Sequence, residues 1–124
     1  MMESMKQYNL ISTKNIVHTG IAELDKEIVG LYIGERTIIF GKDEEGVSAF
    51  LERLKKDCMV CTDLTSRTIR TVYVCDCEQR HELPLPLADI AENVLQIFER
   101  KGQHIAHVWK NRMNGKEGFE CEIV

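Results

Sequence analysis

Residues 37–48 read TIIFGKDEEGVS, and the interpretation of the whole chain depends on this stretch. An apolar run at 37–40 is followed by a loop that starts at Gly41 and contains Gly46, and then by the start of an amphipathic segment. A strand, a glycine loop and a helix in this order are typical of a phosphate-binding loop, whose pattern is G-x-x-x-x-G-K-[ST]. The stretch therefore predicts the first strand and helix of an α/β fold.

The residues within the loop depart from that pattern. Both glycines and the hydroxyl of Ser48 are present, but Val47 stands where a lysine would neutralise the phosphate. Carboxylates occupy positions 43–45, and each would repel a phosphate charge by roughly 4 kcal/mol at ~4 Å in an intermediate dielectric. Lys42 offsets only one of them. We interpret the loop as a turn that the fold requires, with residual binding of a nucleotide or another anion as the alternative.

Length and composition indicate one soluble domain. A chain of 124 residues can bury one core and has little room for a second, so we expect a single domain over 1–124. The formal net charge of −4 argues against general nucleic-acid binding, which needs a basic face. No apolar run approaches ~18 residues, and the N-terminal segment lacks the apolar core of a signal peptide. We therefore expect a cytoplasmic protein with no membrane partner.

The apolar pattern predicts alternating strands and helices. Residues 1–16 are weakly patterned and are expected to form a lead-in segment or a short helix. Steps of three and four predict a helix from about 46 to 60, with one apolar face formed by Val47, Phe50, Leu51, Leu54, Cys58 and Cys61. Strands are predicted near 36–40, 71–78, 94–98, 104–109 and 119–123, and shorter helices near 21–30 and 87–92.

The kind of sheet follows from two of these strands. The strand at 36–40 is apolar on consecutive residues, as expected of a parallel strand covered on both faces. The strand at 119–123 alternates apolar and acidic residues, which indicates one buried and one exposed face. We therefore predict a mixed, mostly parallel sheet with a C-terminal antiparallel hairpin, whose loop spans 111–118.

Four of the five cysteines form two closely spaced pairs, Cys58-x-x-Cys61 and Cys75-x-Cys77. Two such pairs can hold zinc, and the first pair alone can act in redox chemistry. A shared helix face for the first pair, and same-face spacing in a strand for the second, explain all four as buried core thiols. We interpret the cysteines as reduced and free of metal. A zinc-bound structural module is the third interpretation of the protein.

Three segments, in order, resemble the ATPase domain of DnaB-like replicative helicases and their RecA and KaiC relatives. TGIAELDKEIVGLYIGERTIIFG at 19–41 resembles the entry to that domain. VYVCDCE at 72–78 resembles the family's next strand, which ends in a glutamate. ENVLQIFERKGQHIAHVWKNRMNGKEGFECEIV at 92–124 resembles the closing segment, with its K-x-R and N-G. The resemblance implies a reduced RecA-like three-layer domain with a degenerate phosphate loop at Gly41, Gly46 and Ser48.

The resemblance also implies roles for individual residues. Glu78 matches the glutamate that activates the attacking water, and Arg100 matches a basic residue near the nucleotide. Lys110 and Arg112 match a pair that reaches into the site of the neighbouring subunit. Val47 stands at the position of the phosphate-binding lysine. We expect Lys110 and Arg112 to lie at an interface, with an ordinary solvated hairpin pair as the alternative, and Glu78 to be an inactive solvated carboxylate.

A deletion sets this chain apart from the family. Members carry the magnesium-binding aspartate strand and the DNA-contacting loops before the closing segment, whereas here only fifteen residues separate Glu78 from Val94. Without these parts and the lysine, phosphoryl transfer loses most of its charge stabilisation. We therefore expect a non-catalytic remnant, without a cofactor, that associates with itself or with a helicase-like partner. The strand edges left by the deletion favour an oligomer. A nucleotide- or anion-binding module without hydrolysis is the alternative.

Overall fold

A computed structural model describes residues 5–56, 58–61, 69–112 and 117–123, the side chains of 60, 61 and 69 excepted. None of the helices in this part of the chain has the length and apolar character that crossing a bilayer requires. In chain order the elements are β1 (Met5–Ile11), β2 (Ile16–Val17), α1 (Ala22–Ile28), β3 (Leu31–Tyr32), β4 (Arg36–Phe40), α2 (Glu44–Lys55), β5 (Met59–Cys61), β6 (Ile69–Cys75), a 3₁₀ turn (Arg80–Glu82), α3 (Leu87–Ile90), β7 (Asn93–Arg100), β8 (Gln103–Lys110) and β9 (Glu120–Glu122).

Seven of these strands form one mixed sheet in the order β5-β1-β6-β4-β7-β8-β9. The predictions of an α/β fold, a mixed sheet and a C-terminal antiparallel β8–β9 hairpin are confirmed. The prediction that the sheet is mostly parallel is wrong. Among the described residues, only the pairings of β4 with β6 and with β7 are parallel. Antiparallel strands flank this parallel centre on both sides, β1 and β5 on one and β8 and β9 on the other.

The N-terminal segment is part of this sheet. The prediction of a lead-in segment or short helix over 1–16 is wrong, because β1 lies between β5 and β6 and pairs with both. Its register with β6 runs from Met5 opposite Cys75 to Ile11 opposite Ile69. The strand was hidden in the sequence because its apolar residues, Met5, Tyr8, Leu10 and Ile11, do not alternate with the polar ones. Backbone hydrogen bonds to β6 hold it in place, while Leu10 is its one fully buried apolar side chain.

The main helix is shorter than predicted. The helix was expected over 46–60, but α2 ends at Lys55 and residues 59–61 form β5. The buried stripe of Val47, Phe50, Leu51 and Leu54 is confirmed. The prediction that the cysteines continue this stripe is wrong. Cys58 packs against the core from the segment after the helix, and Cys61 pairs with Asn9 of β1, so helical spacing continued by chance into a short strand.

The segment that precedes the central strand is fixed by one carboxylate. Asp25 of α1 accepts hydrogen bonds from the backbone N–H and the hydroxyl of Thr19, both at 2.8 Å, and from the N–H of Gly20 at 3.1 Å. These bonds satisfy backbone groups ahead of the helix that would otherwise lack partners. The T-G-x-x-x-L-D pattern in the sequence therefore has a structural explanation in this chain.

The two faces of the sheet are covered differently. Helices α1 and α2 pack on one face, over the larger apolar core. The other face carries a smaller cluster, covered by the 3₁₀ turn, α3 and the segment between them; its buried members are Ile38, Phe40, Cys75, Leu83, Ala91 and Val94. The expected three-layer arrangement is therefore present only in part. Beyond this cover, over β7 and β8, Gln96, Phe98, His107 and Trp109 are half-exposed.

Candidate functional site

The glycine loop is shorter than the phosphate-binding pattern predicts. Only three residues separate the end of β4 from helix α2, which begins at Glu44, so Glu44, Glu45 and Gly46 form its first turn. Gly41 has a φ of 146°, and a Cβ there would overlap the carbonyl oxygen of Ile97 in β7. Glycine is therefore needed at this position for strand packing. A loop of three residues is too short for its backbone N–H groups to surround a phosphate.

Asp43 caps the helix from this loop. Its carboxylate accepts a hydrogen bond from the backbone N–H of Gly46 at 3.1 Å and another from Nδ1 of His104, at the start of β8, at 2.6 Å. A Cβ at Gly46 would overlap the Asp43 carboxylate, so that glycine makes room for the cap. The N-terminus of a helix attracts anions, and in this protein a carboxylate of the chain itself occupies it. Ser48 lies one turn further along, exposed, beside Lys6 and Tyr8 of β1.

The Asp43–His104 contact also affects the histidine. The hydrogen bond that His104 donates to Asp43 raises the pKa of His104, burial of the ring opposes this, and the charges of Asp43, Glu45 and Glu99 raise it further. The contact therefore joins the start of α2 to the start of β8 and is strengthened by protonation of the imidazole.

A cleft of about 760 Å³ lies at the carboxyl ends of β4 and β6. Chain connections leave this end of the sheet toward opposite faces, which is where α/β sheets commonly bind ligands. The carboxylates that line the cleft are Asp43, Glu44, Glu45, Glu78 and Glu99. The basic side chain among its lining residues, Lys42, already binds Asp76 at 3.1 Å. The position suits a phosphate ligand, but the charge repels one, so the geometry favours the interpretation of the loop as a structural turn.

The residues matched to the ATPase family are only partly brought together. Glu78 lies exposed at the end of β6 and lines the same cleft as Gly41, surrounded by other carboxylates. Arg100 lies at the end of β7, where it binds Glu120 at 2.9 Å and lies over the ring of Phe98. It does not line the cleft.

Lys110 and Arg112 make contacts within their own chain. Lys110 Nζ donates to the carbonyl oxygen of Asp89 at 2.8 Å and to that of Ala88 at 3.4 Å, in α3. The guanidinium of Arg112 makes two hydrogen bonds to the Glu35 carboxylate and lies 3.9 Å from the ring centre of Tyr32. Only 18% of the Arg112 side chain and 8% of the Glu35 side chain are exposed. This arrangement differs from both a projecting finger and a solvated hairpin residue. Residues 113–116, which include the expected hairpin tip, lie outside the described part of the chain.

Arg112 belongs to a polar network that the sequence did not reveal. Its guanidinium also donates to the carbonyl oxygens of Ile28 and Gly30. Glu35 accepts further hydrogen bonds from the backbone of Tyr32 at 2.8 Å and from the Asn93 amide at 3.3 Å. The remaining contacts join Asn93 to Thr37 and Asn111 to Asn93. The network links the amino ends of β4 and β7 to the end of β8. The available sequence signal was a set of polar residues at the start and end of strands.

The cysteines lie on different faces of the sheet. Cys58 packs against the core under the helices, while Cys75 and Cys77 belong to the cluster on the opposite face. Burial, with a smaller effect from Cys77, raises the pKa of Cys75 to about 11, which keeps its thiol protonated at neutral pH. The described residues contain no group of three or more His, Cys, Asp or Glu side chains placed to hold a metal. The side chain of Cys61 lies outside this description.

A second cavity, of about 540 Å³, adjoins the acidic cleft on the thinly covered face. We call it the Trp109 groove; its apolar lining residues are Leu83, Leu85, Ala88, Val94 and Trp109. The indole N–H of Trp109 donates to the amide oxygen of Gln96 at 2.9 Å, and the guanidinium of Arg80 lies 5.2 Å from the ring centre. Leu85 is 72% exposed at the edge of the groove. Sequence analysis did not select Trp109, because the groove forms between segments that are distant in sequence.

Comparisons of the chain with models of known protein families, with curated proteins and with solved structures found no match.

We predict that Arg112→Ala lowers the free energy of unfolding by about 3 to 5 kcal/mol, because it leaves the buried Glu35 carboxylate without its charged partner. Lys110→Ala should cost less than about 1 kcal/mol, since its partners are two carbonyl oxygens at the surface. Urea unfolding followed by Trp109 fluorescence measures both. The matched variant Glu35→Gln with Arg112→Met removes both charges together and should be more stable than Arg112→Ala alone. Equal stability of Arg112→Ala and wild type would contradict a structural role for this arginine.

We also predict that His104→Gln destabilises the protein more at about pH 5.5 than at about pH 8.5. Because the folded-state pKa of His104 is raised, its stabilising contribution is fully present below the unfolded-state pKa and is lost as pH rises through the folded-state pKa. Urea unfolding of the variant and the wild type at both pH values measures the difference. In an Asp43→Asn background the effect of His104→Gln should depend much less on pH, because only the smaller effects of the Glu45 and Glu99 charges remain. An unchanged pH dependence in that background would show that Asp43 is not its cause.

Proposed function

We propose that this protein is a non-catalytic α/β module, a reduced relative of the DnaB-like ATPase domains, that works by binding another protein. The order of the three resembling segments supports the relationship. The side chains at the matched positions support the loss of catalysis, because Val47 replaces the lysine and the cleft around Glu78 is lined by carboxylates.

The observation that carries the non-catalytic part is the position of Asp43. Its carboxylate bonds to Gly46 and His104 at the start of α2, where a nucleotide phosphate would have to bind. A phosphate would need to displace this carboxylate and then lie beside Glu44 and Glu45. Coulomb repulsion opposes that exchange. No described contact favours the nucleotide-binding or zinc-bound alternatives.

The observation that carries protein binding is the Trp109 groove. An apolar groove with a largely exposed leucine at its edge is the kind of surface that proteins use for recognition. The edges of the sheet are less suitable for association. The outermost strands, β5 and β9, have three residues each, and the part of β1 that β5 does not cover carries the charged Lys6, which disfavours pairing with another strand. Both sides of β4 are already paired, so the sheet has no gap for a second copy to fill.

In this proposal Lys110 and Arg112 support the fold and do not contact the partner. Their bonds to α3 and to the Glu35 network already use their charged groups. The partner surface is then the thinly covered face of the sheet. A helicase-like partner is the form of the proposal that the resemblance favours, and a second copy of the chain is the alternative.

We predict no turnover of ATP in the presence of magnesium, and none in a Val47→Lys variant. The single lysine leaves Asp43 at the start of α2 and the acidic cleft unchanged, so the site still repels phosphate. Phosphate release measured against a no-enzyme control tests both proteins. Turnover above background that disappears in Glu78→Gln would show that the site is catalytic.

We predict that the protein alone sediments as a monomer from about 1 to 200 μM and forms a complex with a purified DnaB-like helicase. Leu85→Asp should weaken the complex, because it places a charge on the apolar groove. Met59→Asp is the matched control, since Met59 is 74% exposed but lies on β5, away from the groove. Absence of any complex would refute the helicase-like partner, and self-association that Leu85→Asp abolishes would identify a second copy as the partner.

A further inference from the structure

We infer that the Trp109 groove binds a basic segment of a partner protein, in which a lysine or arginine lies next to an apolar side chain. This inference rests on the proposed function, because it specifies the chemistry of the partner.

The groove provides a rigid apolar site. Trp109 cannot turn freely, because its N–H is bound to the amide oxygen of Gln96 and the amide nitrogen of Gln96 donates to the carbonyl oxygen of Glu78 at 3.1 Å. Leu83 is buried beneath the groove, and Leu85 extends its apolar wall outward. A side chain held in place before binding loses less entropy on association. The groove therefore fits an apolar side chain of the partner.

The rim of the groove is acidic. Glu78 and Asp89 line it, and within the described residues neither carboxylate forms an ion pair. The basic groups nearby are Arg80, which lies over the Trp109 ring, His81, and Lys110, whose Nζ donates to the carbonyl oxygen of Asp89. The groove and the acidic cleft share Glu78, Gln79 and Gln96, so the cleft's other carboxylates act on the same ligand. The surface therefore attracts positive charge next to an apolar contact.

The same charges weigh against other occupants. Two copies of the chain facing each other through this groove would bring their acidic clefts together, and the repulsion would oppose a symmetric dimer. Nucleic acid is disfavoured because its phosphates would meet the carboxylates. A basic segment with an apolar residue satisfies both parts of the surface.

Trp109 makes the inference directly measurable, because it is the only tryptophan in the chain and lies in the groove. The probe is a five-residue peptide of alternating lysine and leucine, titrated into the full chain while tryptophan emission is recorded. Peptides with glutamate in place of lysine, and with serine in place of leucine, are the matched controls. We expect a saturable change in tryptophan emission with the lysine–leucine peptide and none with either control peptide. The affinity for this peptide should fall as salt rises from about 0.05 to about 0.5 M, because salt screens exposed charges.

Charge-reversal variants test whether the peptide binds at the Trp109 groove. The pair Glu78→Lys and Asp89→Lys should weaken the lysine–leucine peptide by about tenfold, since two attractive contacts become repulsive. The pair Glu23→Lys and Glu52→Lys makes the same charge change on α1 and α2, at exposed positions away from the groove, and should leave the affinity unchanged. Circular dichroism of each variant verifies the fold. An equal response to the glutamate peptide, no saturable response up to about 1 mM, or equal weakening by the pair Glu23→Lys and Glu52→Lys would overturn the inference.

These experiments also distinguish a failure of this inference from a failure of the proposed function. A helicase complex that forms with the emission of Trp109 unchanged, and that tolerates the Glu78 and Asp89 reversals, overturns the groove as the binding site and leaves association established. Peptide binding at the groove without any helicase complex supports the inference and refutes that partner. An emission change that depends on protein concentration alone identifies a second copy in the groove and overturns the basic segment.

Discussion

The buried pair of Glu35 and Arg112 is the interaction on which the arrangement of the sheet depends. Glu35 precedes the central strand, and Arg112 follows β8, so the pair joins positions that are 77 residues apart. A buried carboxylate needs a charged partner and hydrogen bonds, and Glu35 has both, from Arg112, the Tyr32 backbone and Asn93. The pair therefore fixes the antiparallel C-terminal strands relative to the parallel centre.

At the opposite end of the sheet a carboxylate is also bound within the chain, but there it caps a helix. Asp43 satisfies the start of α2 from within the chain, and His104 holds Asp43 in place. The position that would bind phosphate in a working loop is thereby filled, and the remaining carboxylates make the adjoining cleft acidic. Charge that would oppose a nucleotide favours a cation, so the cleft is suited to a positively charged ligand.

The unequal cover of the two sheet faces connects this chemistry to the proposed protein binding. Two helices bury one face, whereas single-turn elements and their connection cover part of the other. The partly covered face leaves the Trp109 groove open and places Leu85 at its edge. The groove and the acidic cleft then form a continuous surface with an apolar part and a charged part, which is the composition expected of a site for a short segment of another protein.

The sequence by itself determined the elements whose pattern depends on their own burial. Consecutive apolar residues identified β4, alternation identified the last strand, and the spacing of Val47, Phe50 and Leu54 identified α2. Only the tertiary structure decided that β1, which has no regular alternation, pairs inside the sheet, that α2 ends before Cys58, and that Asp43 and Arg112 are bound within the chain. Periodicity records which side of a segment is buried, because that depends on local geometry. Which distant backbone or charge a polar residue meets depends on how the segments pack, and no local pattern records that.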